Sequence, residues 1–430
     1  MARGLWPVNE IQATASGGAG TFGGMRLLRQ GPVARLFVGS ALNALGTWAT
    51  VIAIWGYAGA HFHVGANGIA VLGLAWVAPA ALVSPFAGVP IDRFGPKRVL
   101  ICSNVVGVGS SLALAAAGSF RVLVALALAS GFVEAFGRPA AMAMPVRLVD
   151  PEDLLGANAL IGAAEESATI FGPLVAAAAI AAWGIRSAFF IDAGTFVIGA
   201  AVVAGVQLRP PAGDGADLDG ARPEAGVWRD VVAGAALARS IDAVRRTLIL
   251  ATAVFMSWGA FFVLEPLYVR TVLHRSPAIL GLLQSAFGAG LVLANVFLPR
   301  LGNRLVSVRA LAVAVTFSGL AAVTYVATTS LLVAFIGVFA WGVDVAFFMS
   351  PMQTLLQRHT PGHAQGRVLA LASCAEGIGG LVTIPLAGIA VGLVGVRTTG
   401  VGVGAAAVAV GVGAWLVARH PQPGHGMSLG

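Results

Sequence analysis

Long apolar runs separated by short polar breaks organise this chain from end to end. A membrane-spanning helix needs roughly 20 apolar residues. A window of that length finds twelve candidates, near 36–59, 68–91, 99–118, 122–144, 158–182, 187–208, 247–268, 278–299, 308–328, 331–354, 368–393 and 398–418. Gly and Pro recur inside the runs, which membrane helices tolerate better than soluble ones. The pattern predicts an all-α membrane protein of twelve transmembrane helices in two six-helix bundles. The longest polar break, 209–246, separates the two sets of six. Its first part is a Pro/Gly/Asp linker, and its second part reads as an amphipathic helix on the membrane surface. Residues 1–30 are rich in Gly, Ala and Arg and lack the apolar core of a secretory signal. The expected organisation is a disordered tail at 1–34, bundles at 35–208 and 247–418, a cytoplasmic linker at 209–246 and a tail at 419–430.

Composition supports lipid as the solvent: 58% of the 430 residues are hydrophobic and 10% are charged, against about 25% charged in soluble domains. The net charge of +8 comes without a basic face interleaved with aromatics, so nucleic acid is not an expected partner. The positive charges sit between the apolar runs and fix an orientation. With the amino terminus inside, 20 of the 26 Lys and Arg fall on the inner side. Five lie outside (Arg121, Arg186, Arg270, Arg275 and Arg397), and Arg138 lies within a span. By the positive-inside rule both termini are expected in the cytoplasm, and the chain in the inner, cytoplasmic membrane of a cell. Cys102 and Cys374 fall within spans and read as packing residues, not as a disulfide or metal framework.

The two halves read as a repeat. Pro139 and Pro351 stand 212 residues apart, as do Pro173 and Pro385. Arg186 before the sixth span matches Arg397 before the twelfth, 211 residues on, and Arg93-Phe-Gly95 has a faded counterpart in Arg300-Leu-Gly302.

Ionisable residues inside spans cost roughly 2.5–3.5 kcal/mol each on insertion scales and normally face a cavity or a partner. They are Glu134 and Arg138 in the fourth span, Glu165 and Glu166 in the fifth, Asp192 in the sixth, Glu265 in the seventh, Asp344 in the tenth and Glu376 in the eleventh. Glu134 and Arg138 lie one helical turn apart, a spacing that suits an internal ion pair opened when Glu134 takes a proton. Glu134 is the first choice for proton handling, followed by Glu165, Glu166 and Glu376. Asp192 also reads as a structural hydrogen-bond anchor, and Glu265, next to Pro266 near the outer end of its span, as a side chain that snorkels to water. Asp344 and Glu376 also suit pairing with buried donors.

Aromatic residues are placed to wall a central cavity for a large lipophilic solute: Trp48 and Trp55, then Trp258, Phe261 and Phe262, then Trp341, Phe347 and Phe348. The bland reading is lipid-facing or interfacial anchoring. Polar amides are scarce in the spans, with Asn43, Gln284, Asn295 and Gln353 nearly all there is, which argues against a sugar carrier.

The loop after the second span carries Gly88-Val-Pro-Ile-Asp92-Arg93-Phe-Gly95-Pro-Lys97-Arg98. Gly88 and Gly95 permit close helix approach and a tight turn. Asp92 ends the span near a neighbouring helix N-terminus. Arg93, Lys97 and Arg98 anchor the loop at the anionic leaflet, the role any basic inner loop would have. This segment resembles the signature loop of the major facilitator superfamily, with Pro96 where a basic residue is common. The resemblance implies a latch that holds the two halves together in the outward-facing state.

A second segment, Ala168-Thr-Ile-Phe-Gly172-Pro173-Leu-Val-Ala176-Ala177, resembles the Gly-Pro motif of the drug/proton antiporters in that superfamily, with Ala in place of Gly at 168, 176 and 177. Phe136-Gly-Arg-Pro139-Ala, Asp153-Leu-Leu-Gly-Ala157-Asn158, Ala188-Phe-Phe-Ile-Asp192 and Gly366-Arg367-Val resemble the branch that contains macrolide efflux proteins and the enterobactin exporter. That branch often carries Leu-Gly-Asp-Trp in the first span, where this chain has Leu45-Gly46-Thr47-Trp48, so any proton-carrying acid must sit elsewhere.

The resemblance implies a monomeric, proton-coupled exporter of lipophilic small molecules such as drugs or secondary metabolites. It would use the proton gradient and no cofactor or metal, with substrate, protons and the lipid bilayer as its partners. No phosphate loop for ATP is present in the sequence. The alternatives are a siderophore exporter or lysophospholipid carrier of the same fold, and a membrane receptor or assembly factor that has lost transport. An enzyme is not expected, since His61 and His63 make too thin a cluster.

Overall fold

A computed structural model describes residues 26–83, 86–150, 153–208, 235–361 and 364–419. The expected disorder of residues 1–25, most of the linker at 209–234 and the tail from 420 lie outside the described residues. Helix accounts for nearly all of what is described, with no strand among the described residues. Twelve of the helices are long and apolar enough to cross a membrane.

These twelve are labelled α1 (Gly31–Ala60), α2 (Ala66–Val83), α3 (Pro96–Ala115), α4 (Phe120–Met142), α5 (Leu154–Trp183) and α6 (Arg186–Ala204), then α7 (Asp242–Thr271), α8 (Pro277–Leu301), α9 (Val308–Ala327), α10 (Leu331–His359), α11 (Gln365–Val394) and α12 (Val396–Arg419). Their boundaries follow local chemistry. α3 starts with Pro96 in its first turn, after Gly95 at φ 84°, a conformation glycine adopts without strain. Ser119 and Ser307 cap α4 and α9 by accepting from Val122 N (3.4 Å) and Ala310 N (3.1 Å).

Three boundaries depart from the sequence expectation. α1 begins at Gly31, inside the expected tail, because Pro32 suits a first helical turn and Val33 and Leu36 are buried. α7 begins at Asp242, inside the expected linker, with its N-terminal acid pairing with Arg245 and Arg246 one turn on. The second span is shorter than expected. It is helical to Val83, and a separate short helix, Gly88–Phe94, carries Asp92.

The duplication is visible in hydrogen bonds. Tyr57 Oη donates to Ala117 O (3.2 Å), and Tyr268 Oη, 211 residues on, donates to Thr328 O (2.9 Å). Lys97 Nζ caps the end of α6 through Ala204 O (2.8 Å) and Val206 O (2.7 Å), and Arg309, 212 residues on, caps the end of α12 through Ala418 O (2.7 and 2.9 Å). Cations at helix C-termini complement the helix dipole. Lys97, expected as a membrane anchor, is therefore engaged within its own bundle. His63 and His274 share φ 51°, and Gly184 and Gly395 share the positive φ that ends α5 and α11.

α1–α6 and α7–α12 form the two bundles, joined along α5–α8 and α2–α11. α1 begins and α12 ends on one side, called here the terminus side. On the far side a single hydrophobic core runs through both bundles, from Tyr57, Leu72 and Phe189 to Phe261, Tyr268 and Tyr325. On the terminus side each bundle has its own core, around Val33, Leu100, Met144 and Val203 in one and around Val254, Leu311, Leu355 and Val368 in the other. The molecule is closed on the far side, and the bundles part toward the termini.

Candidate functional site

One helix, α1, organises the acids of the amino-terminal bundle. Asn43, Thr47 and Thr50 form a polar stripe at helical spacing on an otherwise apolar rod. Thr50 Oγ1 donates to Asp192 Oδ2 of α6 (2.7 Å), and Ser111 Oγ of α3 donates to the same oxygen (2.6 Å). Asp192 is 2% exposed, and its Oδ1 is buried with no hydrogen-bond partner among the described residues. Thr47 Oγ1 donates to Glu134 Oε1 of α4 (2.9 Å). Ser130 Oγ reaches Ser110 Oγ (3.4 Å) beside this cluster.

The expected Glu134–Arg138 ion pair does not form. Arg138 extends away from α4 and pairs with Glu165 Oε2 of α5 (3.4 Å), while Glu134 turns inward to Thr47. The Arg138 guanidinium is within electrostatic reach of Glu134 and of Glu376 on α11 of the opposite bundle. Arg138, one turn from the terminus-side end of α4, and Glu376, in the terminus-side half of α11, are both exposed, on the side where the bundles part. Glu166 is exposed on α5, and its backbone oxygen accepts from Thr169 Oγ1 (2.7 Å), while its carboxylate makes no hydrogen bond to a described residue.

The carboxy-terminal bundle buries its acids separately. Glu265 is 6% exposed and accepts from Gln284 Nε2 of α8, with the Tyr325 hydroxyl beside it but outside hydrogen-bonding geometry. The snorkelling expectation for Glu265 is thereby overturned, since its helix is buried on all sides at that level. Asp344 is buried beside Ser318, which accepts from Trp341 Nε1 (3.1 Å).

The aromatic residues divide. Trp341, expected in a cavity wall, is 4% exposed and packs edge-on against Phe261 (4.4 Å) and Phe287 (5.9 Å) inside its own bundle. Phe261 and Phe348 are buried likewise. Trp55 is also buried, and meets Phe262 edge-on across the bundles at 4.9 Å. Trp48, Trp258, Phe262 and Phe347 are half-buried, and Trp258 keeps its Nε1 unpaired. Asn43 is half-buried, with its Oδ1 unpaired one turn before Thr47. Cys102 and Cys374 are free and exposed, and so are not the core packing residues expected.

Gly172 and Pro173 sit at a three-helix junction. A Cβ on Gly172 would lie 2.6 Å from Trp48 Cβ of α1, and the Pro173 carbonyl lies where a Cβ on Gly281 of α8 would stand at 2.6 Å. In the loop after α2, Gly88 has nothing within 4 Å of a Cβ and makes no close helix approach, whereas Gly95 supplies the turn. Asp92, Arg93 and Arg98 are exposed, and Arg93 lies over the Phe94 ring at 5.3 Å. The Asp92 carboxylate, exposed on the short helix Gly88–Phe94, makes no hydrogen bond or ion pair to another described residue.

Sequence reading missed Thr47, Thr50 and Ser111 as partners of the acids. The available signal was two hydroxyls one turn apart in an apolar span.

Comparison with known proteins bears on the whole chain. The profile described as Major Facilitator Superfamily matches residues 36–241 and 247–427. The chain is 25% identical over 172 residues to the uncharacterized MFS-type transporter YfiS of Bacillus subtilis (strain 168), covering 39% of this chain and 40% of that protein's length. It is 23% identical over 338 residues to Macrolide efflux protein A of Streptococcus pyogenes, covering 74% of this chain and 79% of that protein. The crystal structure of the nucleoside transporter NupG superimposes with a TM-score of 0.72 at 12% identity, over 91% of this chain and 100% of that one. That likeness bears on the fold alone.

Proposed function

Because this chain belongs to the major facilitator superfamily, a family of multi-pass membrane transporters, we propose that it is a proton-coupled exporter of lipophilic small molecules. The observation that carries the proposal is the α1-centred cluster. Two carboxylates, Glu134 and Asp192, are held by hydroxyls of one helix, next to an open cleft where Arg138 faces Glu165 and Glu376. Carboxyl groups at that depth, with hydroxyl partners and no direct ion pair, are suited to load and release protons. Efflux as the direction, and a drug or secondary metabolite as the cargo, draw support from the similarity to Macrolide efflux protein A.

In this reading the terminus side is cytoplasmic and the present conformation admits cargo from the cytoplasm. Protonation from the far side resets the bundles, which rock about a mid-membrane site as a monomer in the cell membrane. One proton moving down 100 mV supplies about 2.3 kcal/mol, enough for a gradient of roughly 40–50-fold in a neutral solute. The exposed Asp92 loop re-engages the opposite bundle when the terminus side closes.

The test uses inside-out vesicles with an imposed pH gradient, challenged in turn with macrolides, dyes, siderophores and sugars. Collapse of the gradient on adding a lipophilic compound, abolished in Glu134→Gln or Asp192→Asn, is the expected result. A gradient indifferent to every compound in folded protein overturns the proton-coupled reading.

A further inference from the structure

Arg270, near the end of α7, is the one arginine that crosses from one bundle to the other through hydrogen bonds between described residues. Its Nη1 donates to Gly59 O (2.9 Å) in the last turn of α1, and its Nη2 donates to Val64 O (2.8 Å) in the loop that follows. Both acceptors suit a cation. Gly59 O is among the final carbonyls of α1, which have no onward helical partner, and a guanidinium there also meets the negative end of the helix dipole. Two other late carbonyls of α1 are already used, Tyr57 O by His61 N and Phe62 N and Ala58 O by Val64 N, whereas Gly59 O is taken by Arg270.

The repeat makes this contact specific. Arg270 and Gly59 are 211 residues apart, the interval that relates Tyr57 to Tyr268 and His63 to His274 on either side of them. They are the same position in the two halves, and they meet each other at the interface. A Cβ on Gly59 would lie 3.2 Å from Arg270 Nη1. Two arginines at this position would repel, and two glycines would leave the carbonyls bare. One arginine opposite one glycine gives a bidentate clamp with room to close. Beside it lies a cleft of about 200 Å³ lined by Trp55, Gly56, Pro266, Arg275 and Pro277 from both bundles, so the contact is a local clasp next to open space.

We propose that Arg270 is the positioning residue that locks the far-side gate by clamping Gly59 O at the end of α1 and Val64 O in the loop that follows. The clamp uses backbone acceptors and no carboxylate. It is released when α1 moves, and α1 is the helix whose Thr47 and Thr50 hold Glu134 and Asp192. The lock follows from the geometry alone; its role in export rests on the reading given under Proposed function.

The experiment measures distances by spin labelling in purified full-length protein in lipid nanodiscs, with Cys102 and Cys374 replaced by Ser. One label pair, Arg121→Cys with Thr329→Cys, reads the far side. A second pair, Val89→Cys with Leu301→Cys, reads the terminus side. Losing two hydrogen bonds to a charged group in Arg270→Ala is expected to raise the ratio of far-side-open to far-side-closed molecules about tenfold or more. The far-side distance lengthens and the terminus-side distance shortens. Gly59→Val, with Arg270 intact, is expected to give the same shift by displacing the guanidinium, and Arg270→Lys an intermediate one through a single remaining bond. These two variants carry the test if Arg270→Ala does not fold. Far-side distributions unchanged from the parent in both Arg270→Ala and Gly59→Val overturn the lock. A shift in distances from a protein that moves no protons with any substrate supports the lock and removes the export reading.

Discussion

Two threonines set how the amino-terminal bundle accommodates its acids. Thr50 and Ser111 both donate to one oxygen of Asp192, so removing either leaves a buried carboxylate with half its donors. A hydrogen bond to a charged group contributes about 1.5–3 kcal/mol. Thr50→Val is expected to lower stability by about that amount, whereas Thr50→Ser, which keeps the hydroxyl, is expected to cost well under half as much. Thermal unfolding in detergent compares the two, and equal losses would mean that the methyl group matters and the hydroxyl does not. Thr47→Val probes a different effect, because its acid lies within electrostatic reach of Arg138 and not in a closed triangle of donors. Its expected signature is a displaced pH profile of transport with little change in unfolding temperature. At this scale the sequence located the acids but not their partners. Glu134 and Arg138 have the right helical spacing to pair, yet the long Arg138 side chain reaches Glu165 on another helix and Glu134 finds Thr47. Spacing along one helix says nothing about which neighbouring helix supplies a closer donor. Trp341 illustrates the same limit: an aromatic in a span has lipid, cavity or core open to it, and Ser318 and Phe261 decide the matter here.

Helix pairs are where small residues become legible. The Gly172-Pro173 segment reads in sequence as a bend within α5, and the structure adds its partners. Across the bundle interface Gly281 of α8 meets the Pro173 carbonyl, and Gly288, two turns further along, meets the Thr169 carbonyl at a Cβ distance of 2.6 Å. Such distances leave no room for a methyl group without moving a backbone, and close backbone approach is how membrane helices gain packing energy where no hydrophobic drive exists between them. Gly288→Leu is therefore expected to separate α5 from α8 and to reduce both unfolding temperature and transport sharply. Gly162→Leu, on the same α5 but with nothing within 4 Å, serves as the control and is expected to leave both within error. Similar losses from the two substitutions would mean that general hydrophobic bulk, and not this crossing, is at fault. The twelve spans themselves were readable because a 20-residue apolar run has one stable solution in lipid, a helix that satisfies its own backbone. The end of α2 was not readable, since the apolar run continues past Val83 into the short helix that carries Asp92.

In the proposed cycle, the duplicated halves give the molecule two gates built from unlike parts. The repeated tyrosine–carbonyl bonds and the paired C-terminal caps of α6 and α12 are symmetric and each lies within one bundle. The asymmetric positions lie where the bundles must part: Arg270 opposite Gly59 on the far side, and the Asp92 loop, answered only by Arg300-Leu-Gly302, on the terminus side. In the present conformation the first contact is made, while Asp92 is exposed and unengaged. If the two act as opposing locks, their loss must have opposite signs. Arg270→Ala is expected to populate the far-side-open state, and Asp92→Asn to favour the terminus-side-open one by weakening the contact the loop makes after closure. Arg270 lies at the far-side end of α7 and Asp92 in a terminus-side loop, opposite ends of membrane-spanning helices, so their effects on the equilibrium should add. The double variant should then return toward the parent's balance of conformations, read by the same two spin-label pairs. Transport in the double variant should still be slower than in the parent, because a carrier with neither lock spends less of its cycle fully closed on one side. Recovery of the conformational balance without recovery of rate is the result that distinguishes two opposing gates from one residue whose loss merely loosens the fold.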